Sequence, residues 1–167
     1  MVAKVFLLAT FTLINCFILV PERGNVTKWS PKYFHYVRMY VSRISRRSPY
    51  YLNLEAHIKQ GWANNVSVDI ILYEYLHNEY RRSFVEIHNR ACDLVHRDLV
   101  VGQMLKNIGI NCPATAGEYV LNNLTLPMPN LKFEAPFFKF RADIEITQSE
   151  SKELMAKGYL NVVIKAK

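Results

Sequence analysis

Residues 137–147 read FFKFRADIEIT. On an extended chain, Phe138, Phe140, Ala142, Ile144 and Ile146 fall on one side, and Lys139, Arg141, Asp143, Glu145 and Thr147 on the other. Period two is the spacing of a strand with one face on a core and one on water, whereas a helix repeats its apolar positions every three to four residues. The alternation recurs along the chain. In KYFHYVRMYVSRI (32–44), Tyr33, His35, Val37, Met39 and Val41 share a side; in YLNLEAHIK (51–59), Leu52, Leu54, Ala56 and Ile58 do. VSVDIILYEYL (66–76), SFVEIHNRA (83–91), GEYVLNNLTL (117–126) and YLNVVIKAK (159–167) follow the same rule. Between them stand SRRSP (45–49), QGWANN (60–65), HNEYRR (77–82) and PMPN (127–130), which carry turn residues. QSESKELMAKG (148–158) reads as a polar excursion. About seven strands separated by turns predict an all-β fold, an antiparallel β-sandwich of the immunoglobulin-like kind.

One segment breaks the pattern. From Asp98, the residues Leu99, Val100, Met104, Leu105 and Ile108 recur at helical spacing. Asp98 is a candidate N-cap, Gly109 supplies a left-handed C-cap, and Pro113 stops continuation. The expectation is one short amphipathic helix over 98–108, flanked by Cys92 and Cys112.

What those cysteines do depends on compartment. MVAKVFLLATFTLINCFILVPERGN (1–25) sets Lys4 before an uncharged run, Val5–Val20, that is shorter than the roughly 20 residues of a spanning helix. With polar PERGN following, this reads as a secretory leader over about residues 1–20, cut after Cys16 or a few residues later. An uncleaved anchor and a buried first strand are the competing readings. Residues 21–167 then form a single domain, secreted and extracellular. Three N-x-[ST] acceptors, at Asn25, Asn65 and Asn123, agree with secretion and are expected to face water. In an oxidising compartment with Cys16 removed, Cys92 and Cys112 form a disulfide. The alternative is a metal site using His88, Cys92 and His96, spaced four apart.

Half of the residues are hydrophobic and 13% aromatic, enough for a core and against a disordered chain. Net charge is +7, of which the leader contributes only Lys4. Outside the cell such a charge points to anionic glycans, lipid headgroups or an acidic receptor rather than to nucleic acid. The basic turns Arg43, Arg46, Arg47 and Arg81, Arg82 are the candidate contacts for a receptor or anionic surface. None of the five histidines sits in a nucleophile setting, and no metalloprotease, phosphate-loop or nucleophile-elbow motif occurs, so neither an enzyme nor a cofactor is expected.

ACDLV (91–95), NCPA (111–114) and GEYVLNNL (117–124), in this order of strands, helix and cysteines, resemble an insect family of small secreted proteins that includes the CheB chemosensory proteins. That family is similar to the ML-type lipid-recognition sandwiches and the ganglioside-activator proteins. The resemblance implies an ML-like sandwich holding a lipid or other small hydrophobic ligand between its sheets, with the helical loop over the mouth. Met104, Leu105, Ile108, Phe138, Phe140 and Ile144 are then the candidate lining. The alternative is an extracellular protein-interaction module with a solid core and no ligand.

Overall fold

A computed structural model describes residues 17–99, 101–107, 109–126 and 138–166. The strands are β1 (Phe17–Trp29), β2 (Phe34–Ser42), β3 (Tyr51–Ile58), β4 (Val66–Leu76), β5 (Glu79–Arg90), β6 (Gly117–Leu124), β7 (Lys139–Gln148) and β8 (Leu154–Ala166). Two short helices, α1 (Ala91–Arg97) and α2 (Val101–Asn107), lie between β5 and β6. Five strands form one antiparallel sheet in the order β1-β8-β7-β4-β5, and three form the other, β2-β3-β6. The two sheets face one another across the apolar sides of their strands, so the fold is the expected all-β sandwich.

The structure has eight strands among the described residues, against the seven expected from sequence. The added one is β1, which starts at Phe17 and pairs Ile18–Val20 with Val163–Lys165 of β8. Pro21 and Gly24 make this stretch read as a break. Pro21 is tolerated because β1 is an edge strand and its register shifts between Pro21 and Arg23. β8 begins at Leu154, earlier than the pattern suggests, and buries Met155 and Ala156 from the excursion expected to be polar. In HNEYRR only His77 and Asn78 turn. Both adopt positive φ, as a two-residue hairpin requires, and Glu79 already pairs with Leu76.

At the start of β2 a register shift between Phe34 and Tyr36 changes which side chain points inward. Phe34 is 1% exposed and His35 lies on the surface, the reverse of strict alternation. A second irregularity, in the β3–β6 pairing, is secured by Asn53. Its Oδ1 accepts from the Asn123 backbone N–H at 3.0 Å and its Nδ2 donates to Ser42 Oγ at 2.9 Å, which satisfies a buried amide.

The helical segment is two helices, not one. Asp98 Oδ1 accepts from Val101 N–H at 2.6 Å, so Asp98 caps α2 as expected. Gly109, at φ +86°, closes it as expected, with Ile110 N–H donating to Leu105 O at 2.9 Å. The unexpected helix, α1, follows β5 directly and buries Ala91, Leu94 and Val95.

Gly158 lies where β8 passes β1. A Cβ there would stand 2.6 Å from Asn25 O and 3.2 Å from Val26 Cα. Gly158→Val is expected to lower the unfolding midpoint by the cost of overpacking, about 1–3 kcal/mol, in urea titrations followed by circular dichroism.

Candidate functional site

The sandwich core is divided. One cluster joins Tyr33, Phe34, Ile58, Val66, Ala91, Met155 and Ala156, and the other joins Met39, Leu52, Leu160 and Val162. Between them lies a cavity of ≈ 240 Å³. β2 contributes Phe34, Val37 and Met39 to its wall, β3 Leu54, Ala56 and Ile58, and β6 Tyr119 and Leu121. The other sheet supplies Val26, Ile144, Ile146, Ala156 and Gly158, and the connecting segments supply Trp62, Ile110, Asn111 and Ala114. The space is unfilled for a simple reason: Ala56, Ala114, Ala156 and Gly158 are too small to span two sheets about 10 Å apart.

The charged residues that border the cavity are committed to partners. Arg38 pairs with Glu55, which also accepts from Tyr40 Oη at 2.9 Å. Lys157 Nζ contacts Glu145 Oε2 at 2.9 Å, a hydrogen bond that holds the ammonium above its usual pKa. Two buried side-chain polar atoms have no partner among the described residues, Asn161 Oδ1 on β8 and the indole Nε1 of Trp62, a residue of the cavity wall. That ring meets Phe34 edge-on, with centroids 5.5 Å apart. Its backbone exchanges two hydrogen bonds with Ala114, Trp62 N–H to Ala114 O at 2.8 Å and Ala114 N–H to Trp62 O at 2.9 Å. Among the described residues the wall includes no histidine, serine or cysteine.

The segment bearing Ile110, Asn111 and Ala114 is anchored by the expected disulfide, Cys92–Cys112, with Cα atoms 5.2 Å apart. It joins α1 to the chain that enters the cavity wall, and His96 Nε2 meets Cys112 O at 3.1 Å. The same bond removes Cys92 from any metal site. His88 stands on β5, outside α1, and no cluster suited to a metal ion occurs among the described residues.

Of the six residues expected to line a pocket, Ile144 does so. Phe140 packs with the Met39 cluster. Phe138 precedes β7 and is 76% exposed, because the inward alternation starts only where β7 pairs with β4 and β8. Met104 and Leu105 are half-buried on α2 and do not reach the cavity; the chain does so after the Gly109 turn, through Ile110. Ile108 lies outside the described residues. Sequence reasoning missed Trp62, Ala56, Ala114, Ala156 and Gly158. Only a glycine within a strand, Gly158, was a signal of close approach.

Elsewhere, Asn25, Asn65 and Asn123 are all exposed. Arg81 and Arg82 pair with Glu79 and Glu86, whereas Arg43, Arg46 and Arg47 project from the β2–β3 turn beside Ile44, 72% exposed. His88 Nδ1 meets Asp69 at 2.6 Å and its Nε2 meets Glu86 at 3.2 Å; these carboxylates raise its pKa. No helix among the described residues is long and apolar enough to cross a membrane. No protein-family model matches the chain, and no curated protein matches it significantly.

Replacing both cysteines, Cys92→Ala with Cys112→Ala, is expected to cost about 3 kcal/mol in chemical denaturation and to loosen the cavity wall at Ile110. For His88, a raised folded-state pKa stabilises the fold below the ordinary histidine value, and that contribution fades as pH rises through the raised one. His88→Gln should therefore lower the urea midpoint slightly near pH ~5 and leave it unchanged near pH ~9.

Proposed function

We propose that this chain is a secreted glycoprotein that carries a lipid or other small hydrophobic ligand between its two β-sheets, as its resemblance to the CheB and ML-type proteins implies. The observation that carries the reading is the apolar cavity of ≈ 240 Å³ between two separate core clusters. Its wall is almost wholly apolar and about half open to solvent, the character of a site for a small apolar ligand.

Several features support the setting. A disulfide fits an oxidising compartment, and three exposed sequon asparagines fit passage through the secretory pathway. A leader cut after Val20 removes Ile18–Val20 from their pairing with β8, whereas a cut after Cys16 keeps that pairing. Arg43, Arg46 and Arg47, grouped around Ile44 on one turn, make that turn the contact for an anionic surface or receptor. Arg81 and Arg82 have their charges taken up by Glu79 and Glu86 and are weaker candidates.

Native mass spectrometry of the protein secreted by eukaryotic cells is expected to show a co-purifying apolar ligand, or stoichiometric uptake of a hydrophobic fluorophore. Ala156→Leu, which fills the cavity from its β8 wall, should abolish that uptake while the protein stays folded. A clean unliganded mass with no uptake would leave the extracellular interaction module as the better description.

A further inference from the structure

We propose that β5 pairs with the β5 of a second copy of this chain, antiparallel, about a two-fold axis at Phe84. The pairing does not depend on what the cavity holds.

β5 is an edge of the five-stranded sheet, and among the described residues no strand pairs with its free side. An open edge presents backbone donors and acceptors that another strand can complete. Phe84 stands in the middle of that edge and is 85% exposed, the most exposed large apolar side chain among the described residues. Ser83, Phe84 and Val85 have no partner on β4, because the register shifts there: Tyr73 faces Arg82 and Ile71 faces Glu86. The ring is thus held out from the sheet at the point where β5 is least committed to its own chain.

Charge identifies the occupant. Arg82 and Glu86 flank Phe84 and share its face, alternating with half-buried Ser83 and Val85. Within one chain they meet each other at the surface, Arg82 Nε donating to Glu86 Oε1 at 2.8 Å. In an antiparallel pairing centred on Phe84, position 82 of each copy faces position 86 of the other. Arg82 then meets the partner's Glu86 on both sides of the axis, and the two Phe84 rings stand opposite one another. An axis at Arg82 or at Glu86 would set like charges face to face instead. Charges on an edge strand ordinarily keep other strands away. Here their order complements itself about the one exposed aromatic residue, and a two-fold contact closes on two chains rather than extending into a fibre.

Sedimentation equilibrium of the full secreted protein over a dilution series is expected to show a reversible monomer–dimer equilibrium. Phe84→Ser should weaken dimerisation about ten-fold, the worth of a buried aromatic pair, with an unchanged circular dichroism spectrum. Arg82→Glu alone puts carboxylates at both flanking positions, and Glu86→Arg alone puts guanidinium groups at both, so each should abolish self-association. The ion pair within the chain is broken in both variants, so only contact between chains can rescue them. An equimolar mixture of the two should recover a heterodimer. A wild type that stays monomeric at every attainable concentration, a dimer that persists in all three variants, or a mixture that stays monomeric overturns the proposal. None of these outcomes touches the carrier reading, which stands or falls on ligand uptake.

Discussion

The structure depends on a mismatch of side-chain size between the ends and the middle of the sandwich. Large groups set the distance between the sheets: Tyr33, Phe34 and Met155 in one cluster, Met39, Leu52 and Leu160 in the other. Between them the facing positions are Ala56, Ala114, Ala156 and Gly158. A packed interior normally closes such gaps. Here the sheets cannot approach without compressing both ends, so the gap persists as a property of the fold. Gly158 serves two demands at once, since the same missing Cβ admits the β1 backbone at Asn25.

Charge is arranged in keeping with that interior. The ion pairs Arg38–Glu55 and Lys157–Glu145 leave the border of the cavity locally neutral. Exposed positive charge is grouped instead at the tip of the β2–β3 hairpin, at Arg43, Arg46 and Arg47. On the other side, α1, the disulfide and the Trp62–Ala114 bridge hold the connecting segment against the cavity, although that segment has little regular structure of its own. Its order is imposed covalently and by two backbone hydrogen bonds rather than by burial of a large apolar face.

Much of this architecture was legible in the residues. Alternation at 137–147 and its repeats identified strands because the period of a half-buried strand is two whatever its neighbours are. Asp98 and Gly109 marked the ends of α2 because capping is local chemistry. What stayed hidden was set by tertiary context. β1 looks like a leader's end followed by a break, since Pro21 and Gly24 are tolerated only at the edge position that the whole sheet gives it. His35 and Phe34 exchanged roles because a bulge is not written in hydropathy. The cavity was the hardest feature to read: it is made of alanines and a glycine that resemble weak core positions, plus Trp62 in a stretch that reads as a turn. Long apolar residues drew attention instead, and most of them, Phe138 and Met104 among them, do not face the cavity.

The partner that β1 needs is far away along the chain. Thr27 Oγ1 donates to Lys157 O across 130 positions, and among the described residues β1 pairs along its length with β8, apart from one bridge from Leu19 to Leu126. A chain synthesised in one direction therefore produces this edge strand long before anything can pair with it. The β2–β3 and β4–β5 hairpins can form from neighbouring segments in the meantime, and β6 can then join β3. Closure of the larger sheet is consequently a late, post-synthetic event, and until it happens the apolar start of β1 needs sheltering from other nascent chains.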